Sequence, residues 1–119
     1  MAYKILFTED AVVDLDVLLS YIRDDNAAAA ERLDRSLMSH VELLQDFPRL
    51  GRPVAHRRGI RMLVHFPILI YYRIHEDQLL IEILHFWHGS RQGRILRVPR
   101  LRVAHLWMGA KAAHVPVPE

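Results

Sequence analysis

Five side chains in the second half of the chain, Arg61, Arg73, His85, His88 and Arg91, are of the types that metal-free cleavage of a phosphodiester requires. That reaction needs the ribose 2′-hydroxyl deprotonated, the charge on the phosphate stabilised and the leaving oxygen protonated. Arginine suits the second task, because its planar fork gives bidentate phosphate contacts. Histidine, with an unperturbed pKa of ~6.5, suits either proton transfer. All five lie on or just after β-prone runs, so one sheet surface could gather them. Arginines on exposed strands more often solvate a face or pair with a partner's acids, and that alternative stays open. His85 and His88 are three apart and point to opposite faces of a strand, so they cannot simply share a role.

An overlapping set, Arg52, Arg61, Tyr72, Arg91 and Trp107, suits binding. Tyr71 and Tyr72 are adjacent, so one is expected in the core and the other half-exposed. Arg52 follows Gly51 and is placed to brace the loop between helix and sheet. Arg57-Arg58 reads as a solvated loop pair, and His65 and His75 as ordinary residues at strand ends. Eight histidines accompany no cysteine. No His-x-x-x-His stands on a helical stretch and no acidic cluster joins a pair, so neither a metal nor a cofactor is expected.

The elements that must position these residues are legible in the periodicity. Tyr3 to Phe7 is a short β-prone run. Thr8-Glu9-Asp10 then supplies an N-cap and first-turn acids. Ala11, Leu15, Leu18, Leu19 and Ile22 make one helical stripe. Asp24-Asp25-Asn26 breaks it, and Asn26 can cap a second helix with the stripe Ala30, Leu33, Leu37, Val41 and Leu44. Phe47-Pro48 ends that helix, since proline disfavours helix at the residue before it. Loop-like sequence around Leu50–Pro53 and Arg57–Gly59 precedes three β-rich runs, 60–66, 68–74 and 79–87. The predicted fold is α+β, ordered β-α-α-β-β-β, with a helical hairpin packed on one face of a small antiparallel sheet.

The 119 residues suit one domain, and absence of cysteine fits a reducing cytosol. Neither a secretion leader nor a membrane span is expected, because every apolar run is far shorter than the ~20 residues a span needs. The expected location is cytoplasmic. Charge is unevenly shared. Residues 1–91 carry 11 Lys/Arg against 13 Asp/Glu, whereas residues 92–119 carry five against one. A general nucleic-acid binder should be basic in its body, and this one is basic in its tail.

Short segments, in order and at consistent spacing, resemble the RelE/ParE toxin superfamily over residues 3–91. They are Ala11-Val12-Val13-Asp14-Leu15, Tyr21-Ile22, Ala28-Ala29, the run Leu44 to Arg52, Gly59-Ile60-Arg61, Ile70-Tyr71-Tyr72-Arg73 and the run Ile83 to Arg91. The resemblance implies the β-α-α-β-β-β fold and the toxin half of a type II toxin–antitoxin pair, with a cognate antitoxin as partner. Operator DNA would be reached only through the antitoxin. Two modes of action are known in the superfamily: mRNA cleavage on the ribosome in the RelE branch and inhibition of DNA gyrase in the ParE branch. Phe-Pro-x-x-Gly-Arg and His-Gly-x-Arg look more like the ParE side, often called plasmid stabilisation proteins. The catalytic set above applies only on the RelE reading. Moreover, His85 stands where relatives commonly carry a basic residue, often arginine. A third alternative is a non-toxic member kept for antitoxin binding and autoregulation.

The resemblance divides the chain into a toxin domain, 1–91, and a basic C-terminal extension, 92–119, partly ordered or disordered. That extension is expected to be dispensable for folding and to serve an acidic partner or a second copy of the chain in a homodimer.

Overall fold

The computed structural model describes residues 2–89 and a strand at Val103–Trp107. In chain order the elements are β1 (Lys4–Thr8), α1 (Glu9–Asp25), α2 (Ala27–Glu42), a 3-10 turn at Leu43–Gln45, β2 (Arg52–Pro53), β3 (Ile60–His65), β4 (Ile68–His75), a second 3-10 turn at Glu76–Gln78, β5 (Leu80–His88) and β6 (Val103–Trp107). The α+β order read from the sequence is present. Two short strands, β2 and β6, add to it.

Both helix starts follow from side-chain caps. Thr8 Oγ1 accepts from the Ala11 N–H at 3.1 Å and donates to the Leu84 carbonyl at 3.1 Å, so one buried hydroxyl starts α1 and ties it to β5. Asn26 Oδ1 accepts from the Ala29 N–H at 3.0 Å and starts α2. The break between the helices is shorter than expected. α1 runs through Asp25, and Asn26 alone, in extended conformation, separates it from α2. Ala11, Leu15 and Leu19 on α1 and Ala30, Leu37 and Val41 on α2 are buried, as their spacing requires.

The sheet order is β2-β3-β4-β5-β1-β6. The β2 to β5 part is an antiparallel meander. β1 departs from the all-antiparallel expectation: it pairs parallel with β5, Ile5 opposite Ile81 and Phe7 opposite Ile83. The helical hairpin and meander together supply the long crossover that a parallel pair needs. The helices cover the face carrying Ile5, Phe7, Leu63, Ile70, Tyr72, Ile81, Ile83 and Phe86. Ile60, Tyr71 and Leu84 form a second buried cluster on the opposite, open face, under Val54, Met62, Leu69 and Trp87. A bulge between Tyr71 and Tyr72 adjusts the β4–β5 register there.

Both tyrosines are therefore core, and the expectation of one half-exposed ring is corrected. Tyr72, proposed above for binding, is fully buried. Its hydroxyl accepts from the Gly51 N–H at 2.9 Å and donates to the Pro48 carbonyl at 2.7 Å, bridging the ends of the turn after Pro48. Gly51 packs so closely that an added Cβ would meet the Met62 carbonyl oxygen at 2.7 Å and the Tyr72 ring at 2.8 Å. Only glycine fits there.

β6 lies within the segment read as a dispensable extension, yet it pairs antiparallel with the outer edge of β1, Leu106 opposite Leu6. An uncovered β1 would offer a row of free N–H and C=O groups to other chains. Truncation after Gln92 is therefore expected to produce self-association, seen as a rise in mass by light scattering. A monodisperse truncated protein of unchanged melting temperature would contradict it. Tyr72→Phe leaves the buried Gly51 N–H without its acceptor and is expected to cost about 1–3 kcal/mol by urea denaturation.

Candidate functional site

Cross-strand neighbours share a face, so the registers sort the candidate residues. Arg61 stands opposite Tyr72, and His88 opposite Ile68, both on the helix-covered face. Arg73 stands opposite Ile60 and Glu82, and His85 opposite Tyr71, both on the open face. Arg61, Arg73, His85 and His88, which one sheet surface could have gathered, are split between its two faces. The sheet divides them in pairs, because alternation along a strand outranks closeness in sequence. Arg91 lies outside the described residues, and so does the Trp107 side chain, whose backbone is the end of β6.

Arg61 is further committed. Its Nε donates to the Gly51 carbonyl at 2.8 Å, so Arg61, rather than Arg52, braces the loop between helix and sheet. Arg52 is exposed on β2, opposite Met62, and remains available to a partner. The Tyr72 hydroxyl is pushed up by burial, against the opposing pull of its Gly51 bond and of the Arg61 charge. Burial raises the Tyr71 hydroxyl too. Neither phenol is a ready proton donor near neutrality.

The open face holds two histidine–carboxylate contacts that the sequence reading missed. His75 Nε2 donates to Glu82 Oε1 at 2.8 Å, with Glu82 only 3% exposed. A carboxylate that deep needs a partner, and this imidazole supplies one. The pair joins diagonal neighbours near the β4–β5 turn, His75 opposite Leu80 and Glu82 opposite Arg73, a match visible only once the register is known. His85 Nδ1 donates to Asp14 Oδ2 at 2.7 Å. The same oxygen accepts the Phe86 N–H at 3.2 Å. β1 pairs with β5 only as far as Ile83, so Asp14 of α1 satisfies a backbone donor beyond that point. The His85 ring also lies 5.9 Å from that of Trp87, which meets Tyr71 edge-on at 5.6 Å. Arg73, His85 and Trp87, half-buried around the buried Tyr71 ring, thus form an aromatic and basic patch.

A third histidine contact joins α2 to the end of β3. His40 Nδ1 and His65 Nδ1 are 2.9 Å apart, and His65 Nε2 is 3.0 Å from Ser36 Oγ. Ser36 gives its one hydroxyl proton to the Leu33 carbonyl at 3.2 Å, so it accepts from His65 Nε2. Neutral His65 then offers a bare Nδ1, which accepts from His40 Nδ1–H. His65, read from the sequence as an ordinary strand-end residue, thus holds helix to sheet. Among the described residues no three His, Asp or Glu side chains converge as a metal site, and no helix is long and apolar enough to cross a membrane.

A helical hairpin on one face of a mostly antiparallel sheet is an α+β fold shared with RelE-like toxin structures. Residues 5–93 match the family described as the ParE toxin of type II toxin-antitoxin system, parDE, and the chain belongs to that family. It is 33% identical over 91 residues to "Putative toxin Y4kP" of Sinorhizobium fredii, covering 75% of this chain and 91% of the relative. The fold is similar to that in the crystal structure of the toxin–antitoxin complex RelBE2 from Mycobacterium tuberculosis, with a TM-score of 0.53 and 23% identity over 74% of this chain and 99% of the other. It is also similar to a mutant of the E. coli toxin RelE in the free state, with a TM-score of 0.50 and 14% identity, covering 77% and 88%. The protein is a toxin of a type II toxin–antitoxin system.

Burial, and then the neighbouring His40, lower the pKa of His65. The unfolded chain therefore binds the proton more readily than the folded one. The stability the pair contributes is present above the unfolded value of ~6.5 and is lost as pH falls from there towards the lowered folded value. Urea midpoints measured between about pH 7.5 and about pH 5.5 are expected to fall more steeply for the native chain than for His65→Gln. Equal slopes would show that the pair does not carry the effect.

Proposed function

We propose that this toxin acts as ParE-like proteins do, by holding a protein target, DNA gyrase, rather than by cutting RNA, and that a cognate antitoxin neutralises it in the cytoplasm. The observation that carries this reading is the division of the phosphodiester-cleaving candidates between two faces, with Arg61 committed to the loop brace. A cleavage site needs base, acid and phosphate clamp around one reacting group. The body's slight acid excess supports the same reading, since a ribosome binder sits among phosphates and gains from positive charge. RelBE2, similar in fold, was crystallised as a toxin–antitoxin complex, which supports an antitoxin as partner here. Operator DNA is then reached only through that antitoxin.

The open patch of Tyr71, Arg73 and Trp87, with Arg52 at its edge, is the surface offered to antitoxin or target. Its half-buried apolar side chains gain from cover, and its arginines from carboxylates. Induction of the full chain is expected to raise the SOS response and DNA breaks while translated mRNA persists. Purified gyrase should lose supercoiling activity in its presence. Rapid loss of translated mRNA before any DNA damage, abolished by Arg73→Ala or His85→Ala, would replace this reading with ribosome-dependent cleavage from the open face.

A further inference from the structure

Beside Arg73 of the open patch, which stands opposite Ile60, the loop between β2 and β3 and the turn between β4 and β5 line an open cavity of about 460 Å³. Arg49, Arg57, Arg58 and Arg61 all line it. These are four of the 11 basic residues in a body that is slightly acidic as a whole. Arg49 is paired with Glu76. Among the described residues Arg57 and Arg58 form no ion pair with a carboxylate. The loop that presents them is pinned rather than loose: the Val54 N–H bonds the Ile60 carbonyl at 2.9 Å, and the Ile60 N–H bonds the Arg57 carbonyl at 3.1 Å. Gly59, at φ +80°, makes the turn this demands. A loop whose backbone is already fixed loses less entropy when its arginines close on a carboxylate or phosphate.

The rest of the wall decides between anions. Val54, Ile60 and Ile74 contribute apolar surface, and Asp77 and Glu76, the latter paired with Arg49, add negative charge to the lining. A polynucleotide carries negative charge on every residue and would meet those two acids as well as the arginines. A polypeptide can set carboxylates against Arg57 and Arg58, an aliphatic side chain on Ile60 and Ile74, and a lysine against Asp77. Mixed charge around an apolar floor fits a peptide and fixes its direction.

We propose that this cavity is a second docking site, for an acid-rich segment of a partner protein that also carries an apolar and a basic residue. The inference rests on the toxin reading in that it supposes a partner protein, and it assigns to that partner a cavity that adjoins the open patch.

The test uses the full chain, isotope-labelled, and four probes: an acetylated peptide of leucine, glutamate, glutamate, leucine and lysine, the same peptide with glutamines for glutamates, hexauridylate, and inorganic phosphate. The acidic peptide is expected to bind saturably and to shift the backbone amides of residues 57–61, 76 and 77. The double variant Arg57→Glu/Arg58→Glu should weaken it at least about tenfold and should instead bind a peptide with lysines for the glutamates. Asp77→Lys should weaken the acidic peptide and admit hexauridylate. Melting of each variant checks the fold. If the reversed variant fails to fold, Arg57→Gln/Arg58→Gln replaces it, with the same tenfold loss expected. No saturable binding, equal binding of the glutamine peptide, or preference for hexauridylate or phosphate overturns the proposal. Growth arrest measured with the same chains separates the two failures: arrest without peptide binding overturns only the cavity, whereas lack of arrest strikes the toxin reading.

Discussion

The sheet of this protein is apolar on both faces at its centre, and that constraint organises everything around it. Ile70, Tyr71 and Tyr72 are consecutive on β4 and all buried. Alternation sends Tyr71 to one face and its two neighbours to the other, so no single layer can cover them. The helical hairpin covers the Ile70 and Tyr72 side. On the Tyr71 side, among the described residues, cover comes from half-buried side chains such as Met62, Leu69 and Trp87. A face finished in this way leaves half-buried apolar side chains that gain from further cover.

Most polar groups at the margins of that core are matched, Glu42 Oε2 being an exception among the described residues. Thr8, Tyr72 and Asp14 each use one side chain for two bonds. Thr8 caps α1 while holding β5, Tyr72 closes the turn from both ends, and Asp14 takes a backbone N–H and an imidazole on one oxygen. A buried donor left without an acceptor costs more than a formed bond returns, so such double use suits a small domain. It also explains why residues of catalytic type are so often structural here. Arg61, His65 and His75 carry chemistry-capable groups, yet each has a contact that holds loop, helix or strand in place.

What remains for recognition is set by the leftover surfaces. The open patch combines aromatic edges with Arg73, and the loop cavity combines a cluster of arginines with two acids. They adjoin at β4, which gives Arg73 to the patch and Ile74 to the cavity, and they ask for different chemistry. A partner that wraps the protein can engage both and gain effective concentration from joining two modest contacts.

Element types, the two helix caps and both apolar stripes were legible in the chain before any fold was known, because they depend on residues within a turn or two of one another. So was the family resemblance, with the fold that follows from it. Local pattern could not decide that β1 enters parallel beside β5, that residues 103–107 close the outer edge, or that Arg61 rather than Arg52 braces Gly51. Each of those is a contact between distant segments, fixed by register. The site fared likewise: Glu82 with His75 and Asp14 with His85 are seven and 71 positions apart. Periodicity tells which way a side chain points within its own strand. Only the packed sheet tells what it meets there.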